Sequence, residues 1–233
     1  MGLGVTANLS RFEEALRFFL QRVILTDDEL DALNSRARMQ SWWFSGGDEL
    51  RLVQDVFDEI AKALNTGEAF GDFKKRVSAK LASAWGGANP HRVETIWINA
   101  MQRAYSGGRY RQLTKPVMKR MRPFWEYDAV LDGRTTTICK ERDGKVVAQD
   151  DPWWDSNYPP LHHRCRSGVR ALTKRQAKRK GITTGPNFDE RPQDGFGASP
   201  KNDMSATVKP DMRKYDAQLA DKMRDKQRAA GIE

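Results

Sequence analysis

The sequence predicts an α+β protein: an N-terminal helical platform, a small antiparallel β-sheet or hairpin subdomain, and an extended C-terminal tail. Three observations predict it. Apolar residues recur at helical spacing through the first hundred residues. From Pro123 onward short alternating runs are separated by the turn pairs Asp132-Gly133 and Asp143-Gly144. Beyond residue 182 apolar residues become scarce while Gly, Pro, Asn and Asp accumulate. The boundaries that follow are 1–122, mostly helical; 123–172, the β-rich subdomain; 173–208, a basic segment and flexible linker; and 209–233, a marginal helix.

Ser10 and Glu13 have capping-box spacing, and the helix they open aligns Phe12, Ala15, Leu16, Phe19, Leu20 and Val23. Thr26 and Glu29 repeat the signal for a second helix through Leu30, Leu33 and Ala37. Trp42-Trp43, before Gly46-Gly47, reads as a core plug under a loop, with partner docking as the alternative. Asp48 is the candidate cap of a third helix carrying Val53, Val56, Phe57, Ile60 and Leu64, ended by Gly67. Phe70, Phe73, Val77 and Leu81 predict a fourth that stops before Gly86-Gly87. Asn89-Pro90 opens a fifth with Val93, Ile96, Trp97, Ala100 and Ala104, which Gly107-Gly108 is expected to interrupt. Strands are predicted at 125–131, 145–148 and 165–172, a short helix displaying Cys139 at 135–141, and a long loop at 151–160. The tail from 183 to 208 is expected to be disordered or laid along a partner, and a thin apolar stripe predicts a final helix from Pro210 to Ala230.

Composition narrows the function. The chain has 233 residues, 39% hydrophobic and 30% charged, with a mean hydropathy of −0.74, which suits a modest core with broad solvated or partner-facing surfaces. No window approaches the roughly 18 apolar residues of a membrane span, and the N-terminus lacks the basic start of a secretory signal. Two cysteines are too few for a disulfide scaffold, so a reducing compartment is expected. The net charge of +9 is unevenly placed: residues 69–182 hold 24 Lys and Arg against 10 Asp and Glu. Arg109, Arg111, Lys115, Lys119 and Arg120 in one run, and Lys174, Arg175, Lys178, Arg179 and Lys180 in the other, are candidates for phosphate or partner contact. Counterion release needs several cations and no exact geometry, and a plainly solvated basic face is the alternative. Arg134 is expected to pair with a carboxylate across the small sheet.

Chemistry concentrates in one stretch. Cys139, His162, His163 and Cys165 are the clustered soft ligands, and His162-x-x-Cys165 has the spacing of a zinc knuckle. Two buried thiols beside a histidine bonded to backbone is the alternative. Asp132, Asp143, Asp150, Asp151 and Asp155 lie near the histidines, so a metal-dependent nuclease or a nucleic-acid-binding protein using Cys139, His162 and Cys165 is the alternative function. No phosphate-binding Gly loop, nucleophile elbow or His-Glu-x-x-His accompanies them, and no catalytic residue is assigned.

The series Asn89-Pro90-His91-Arg92, Asp132-Gly133-Arg134-Thr135, Cys139, Asp143-Gly144 and Pro159-Pro160-Leu161-His162-His163-Arg164-Cys165-Arg166 resembles the phage Mu F-like head morphogenesis family over about residues 50–172. The resemblance implies a non-enzymatic minor head protein of tailed phages and prophages. Such a protein is made in the host cytoplasm and located in the virion head or procapsid interior near the portal vertex. Its implied partners are portal protein, capsid or scaffold proteins and double-stranded DNA, with no membrane. The family's usual His-Pro-x-Cys-Arg-Cys pattern implies a structural zinc site. Here His163 replaces the proline and Ser167 the last cysteine, which leaves His163 as the stand-in for the missing thiolate.

Overall fold

The computed structural model describes residues 12–25, 41–44, 46–47 and 49–201, and isolated positions between 213 and 228. The expectations for Ser10, the helix from Thr26 to Ala37, Asp48 and most of 202–233 lie outside the described residues. In order, the elements are α1 (Glu13–Leu20), β1 (Val23–Ile24), β2 (Ser41–Trp42), α2 (Leu50–Thr66), α3 (Phe70–Ala84), α4 (Pro90–Leu113), α5 (Pro116–Met121), β3 (Phe124–Asp128), α6 (Thr137–Lys140), β4 (Val146–Ala148), α7 (Trp154–Asn157), β5 (Gly168–Leu172) and α8 (Lys174–Lys180). The architecture is α+β. No helix among the described residues is long and apolar enough to cross a membrane.

The first four helices form one core. Val53, Val56, Phe57 and Ile60 of α2, Phe73, Val77 and Leu81 of α3, and Val93, Ile96 and Ala100 of α4 are buried in one cluster with Ala15, Leu16 and Phe19 of α1. Phe19 stacks on Phe57 at 4.5 Å, and each ring so buried contributes about 1.5–3 kcal/mol. Local signals fix the ends. Asn89 accepts the Arg92 N–H at 3.0 Å with Pro90 behind it, and Gly67 caps α2 at φ +71°. Trp42 is the expected core plug, donating its indole N–H to Val53 O at 3.0 Å.

Two expectations for this half fail. The first helix stops at Leu20, and Val23 and Ile24 pair in parallel with Ser41 and Trp42. Nor does Gly107-Gly108 break the fifth helix, because α4 runs unbroken to Leu113. A Cβ on Gly107 would overlap the Phe18 ring, and one on Gly108 would lie 2.5 Å from Ala15 N. The glycines are the flat surface on which α1 crosses α4.

The second core lies on the sheet, ordered β4-β3-β5 and antiparallel throughout. Phe124 pairs with Leu172 and Asp128 with Gly168, which fixes the register of the long edge. Trp125, Tyr127, Trp154, Tyr158, Leu161, Cys139 and Cys165 pack together there, with Leu113 reaching in from the end of α4. The expected strands are shorter than predicted, ending at Asp128 and starting at Gly168. The long loop holds the one-turn α7 and a cis Pro159-Pro160 bond. The basic run at 173–180 is a helix with a complete Thr173/Gln176 capping box.

The tail is also a correction. Residues 183–201 return to the molecule's own surface. Gln193 N donates to Leu161 O at 2.9 Å, Gly197 N to Pro160 O at 3.0 Å, and Phe196 is buried. Composition signalled disorder here because two aromatic anchors, Phe188 and Phe196, among turn residues leave little periodic trace. Further on, Ala220 is buried in the helical core.

Candidate metal centre

Three side chains meet beneath β3. Cys139 comes from α6, and His162 and Cys165 from the turn that follows Pro159-Pro160. Cys139 Sγ lies 3.2 Å from His162 Nε2 and 3.7 Å from Cys165 Sγ. All three residues are buried, and their ligand atoms lie within 4.8 Å of one another. Both cysteines are free thiols, far beyond the roughly 2.05 Å of a disulfide.

The turn is held from α4. Arg164 adopts φ +58°, uncommon for a residue with a Cβ. Its N–H donates to Asn99 Oδ1 at 2.8 Å, and its guanidinium donates to Glu94 at 2.8 Å and Thr95 at 3.1 Å. These contacts offset the backbone strain and seat the knuckle on the helical platform. Sequence reasoning missed Asn99, Glu94 and Thr95; their one signal was a polar strip on an otherwise amphipathic helix.

Hydrogen bonding sets up the electronics. His162 Nδ1 lies 2.8 Å from His163 O, so Nδ1 carries a proton and Nε2 faces Cys139. The Cys165 thiol donates to Cys139, with His162, Ser167 and Tyr127 adding to it against the effect of burial, and the Cys139 thiol is pulled below its usual range. Cys165 is pushed up by that same hydrogen bond, by burial and by the Cys139 charge. For His162, burial opposes protonation, but the Cys139 hydrogen bond and the His163 carbonyl outweigh it, so its pKa is raised. Of the two thiols, Cys139 is therefore the more readily deprotonated.

The donor set fits zinc. Two sulfurs bound at about 2.3 Å in a tetrahedron lie about 3.8 Å apart, against 3.7 Å between Cys139 and Cys165. The backbone carbonyl on His162 Nδ1 is the usual outer partner of a metal-bound imidazole. His163, expected as the fourth ligand, is not in the cluster. Its Nδ1 meets Asn99 Nδ2 at 2.8 Å and its ring packs edge-on against Phe196 at 4.8 Å. Adjacent residues in this turn face opposite ways. Ser167 is buried beside Cys139 and Tyr127 instead, so the fourth position faces a hydroxyl.

The predicted cations divide. Arg111 contacts Gln21 and lies over the Phe18 ring, Lys115 pairs with Glu14 at 3.1 Å, and Lys180 pairs with Glu126 at 2.7 Å. Arg109, Lys119, Arg120, Lys174, Arg175, Lys178 and Arg179 are exposed and make no ion pair among the described residues. Because Phe124 pairs with Leu172, α5 and α8 leave the sheet at the same end, and Arg122 ties them by donating to Ala171 O at 2.9 Å. Arg134 stays exposed, 3.9 Å from its neighbour Asp132. The expected pairing role falls to Arg166, which grips Asp132 at 2.6 and 2.7 Å, and to Arg170 with Asp128 at 2.9 Å.

Fold and site define a class: a helical platform clamping a small sheet through a cysteine–histidine knuckle. Residues 54–170 match the family described as Phage Mu protein F like protein, and the chain belongs to that family. It is 28% identical over 148 residues to the putative capsid assembly protein F of Escherichia phage Mu, covering 56% of this chain and 33% of that protein. It is 33% identical over 135 residues to the Mu-like prophage FluMu F protein of Haemophilus influenzae, covering 53% and 32%. The matches thus span about a third of each relative's length. No solved structure matches the chain.

Proposed function

We propose that this chain is a non-enzymatic component of phage head assembly, acting in the procapsid or virion head near the portal vertex and docking on portal, capsid or scaffold proteins. The match of residues 54–170 carries this reading, since it contains both the sheet core and the knuckle, and one relative is named for capsid assembly. Cys139, His162 and Cys165 hold a structural zinc ion that pins the sheet to α4. The exposed cations of α5 and α8 form the surface offered to double-stranded DNA, where diffuse positive charge suffices.

A null allele in the parent phage or prophage tests the assembly role. Lysates viewed by electron microscopy should contain tails but few DNA-filled heads, and a wild-type yield of infectious particles would refute the role. The competing nuclease reading is met with supercoiled DNA and Mg²⁺, Mn²⁺ or Zn²⁺. No nicking is expected; nicking by the wild type that disappears in a still-folded His162→Ala variant would make the protein an enzyme.

A further inference from the structure

A second concave site lies on the other side of the knuckle. A cavity of about 140 Å³ opens between α4, the β1–β2 pair and His163, walled by Trp42, Trp43 and Phe44. Three guanidiniums line it, from Arg22, Arg92 and Arg103, and no Asp or Glu does so among the described residues. Arg103 is 5% exposed. Burying a guanidinium costs several kcal/mol unless an anion faces it, and burial lowers the pKa of Arg103 to about 10.

Arg22 and Arg92 have further partners, and Arg103 and Trp43 are the groups with donors to spare. Arg103 gives one hydrogen bond, to Gly195 O at 3.0 Å, and otherwise lies over the rings of Phe196 and Trp43 at 4.4 and 5.7 Å. Its Nε has no hydrogen-bond partner, and it makes no ion pair, among the described residues. The Trp43 indole N–H is likewise buried without a partner. A planar fork beside an indole N–H, in a largely apolar recess, is what a carboxylate on a short apolar stem requires.

We propose that this cavity is a carboxylate-binding pocket that takes a Glu or Asp side chain from an acidic segment of a partner protein, with Arg103 as the anchoring cation and Trp43 as the accessory donor. Charge complementarity selects the ligand, and the walls select its source. The methylene stem of an acidic side chain meets the apolar faces of Trp42, Trp43 and Phe44, while its carboxylate reaches Arg103. Arg22 and the three aromatic walls lie outside the family match at 54–170, whereas Arg103 lies within it.

The test uses the full chain and the blocked peptide acetyl-Gly-Glu-Gly-amide, with its Gln counterpart as control, at constant ionic strength. The Glu peptide should raise the melting temperature saturably and the Gln peptide should not. Arg103→Met, which keeps the stem and removes the charge, should abolish the rise. Should that variant not fold, Trp43→Phe keeps a ring, removes the N–H, and should weaken binding about tenfold. Lys62→Ala, at an exposed position on α2 outside the lining, should bind as the wild type does. The pocket is refuted by equal responses to the two peptides, by no saturable response, or by a response that survives both Arg103→Met and Trp43→Phe. Preference for inorganic phosphate or an oligothymidylate over the Glu peptide would refute the carboxylate assignment. None of these outcomes depends on zinc or on head assembly, so this pocket and the proposed function fail separately.

Discussion

Asp132 concentrates more interactions than its exposed position suggests. It accepts both Nη atoms of Arg166, the Arg134 N–H at 2.9 Å, and a contact from Thr135 at 3.3 Å. The Arg166 hydrogen bonds, then the Arg134 backbone, hold its carboxyl well below the usual carboxylate range. A depressed carboxyl contributes stability that is present above its unfolded pKa of about 3.9 and lost as pH falls toward the folded value. Urea midpoints taken between pH 7 and pH 2 should therefore fall more steeply below about pH 4 in the wild type than in Asp132→Asn, with the variant the less stable at neutral pH. Parallel curves would show that the pair contributes nothing. The turn at Asp132-Gly133 was legible because Asp bonds the backbone two residues on. Its partner was not, since which arginine reaches it depends on where β5 returns, and the sequence reading chose Arg134 over Arg166.

At the scale of elements, most helices were legible from apolar spacing and from caps such as Asn89-Pro90. The Gly107-Gly108 pair shows where that reading stops. Glycine weakens a helix by about 1 kcal/mol relative to alanine, and it also permits the closest approach of two backbones. Sequence displays the first property in isolation, while the second exists only against a partner. Here the partner is α1, whose Glu14 and Ala15 backbone would meet a Cβ on Gly108. Gly108→Ala should therefore destabilise by about 1–3 kcal/mol despite the gain in helix propensity, because backbone atoms cannot yield as a side chain does. Gly71, inside α3 with nothing within 4 Å of an added Cβ, is the control. Its alanine variant should match the wild type or exceed it by up to about 1 kcal/mol. Chemical denaturation measures both, and a Gly108→Ala protein as stable as Gly71→Ala would mean that α1 does not press on α4 there.

At the scale of the whole molecule, the two larger hydrophobic cores among the described residues meet along α4. Its N-terminal half belongs to the helical core, Asn99 and Glu94 grip the knuckle, and Leu113 enters the sheet core. Spacing alone brought Cys139, His162 and Cys165 together, because a two-residue gap and a nearby thiol leave little freedom. It could not separate His162 from His163, since adjacent residues diverge according to the turn they occupy. This arrangement gives metal removal a local signature. Zinc bound to three deprotonated side chains stabilises whatever must fold to bring them together, here α6, the knuckle and the strands behind them. On zinc-loaded protein, a chelator should strip amide-exchange protection from Tyr127, Val147 and Val169 in the sheet core. Val56, Phe57 and Val77 in the helical core should keep theirs, because burial rather than the ion orders them. His162→Ala should begin in the stripped state and respond no further to chelator. Uniform loss of protection would mean that the two cores melt as one unit. No loss would mean that the thiols and imidazole hold the knuckle by hydrogen bonds alone, with the zinc reading withdrawn.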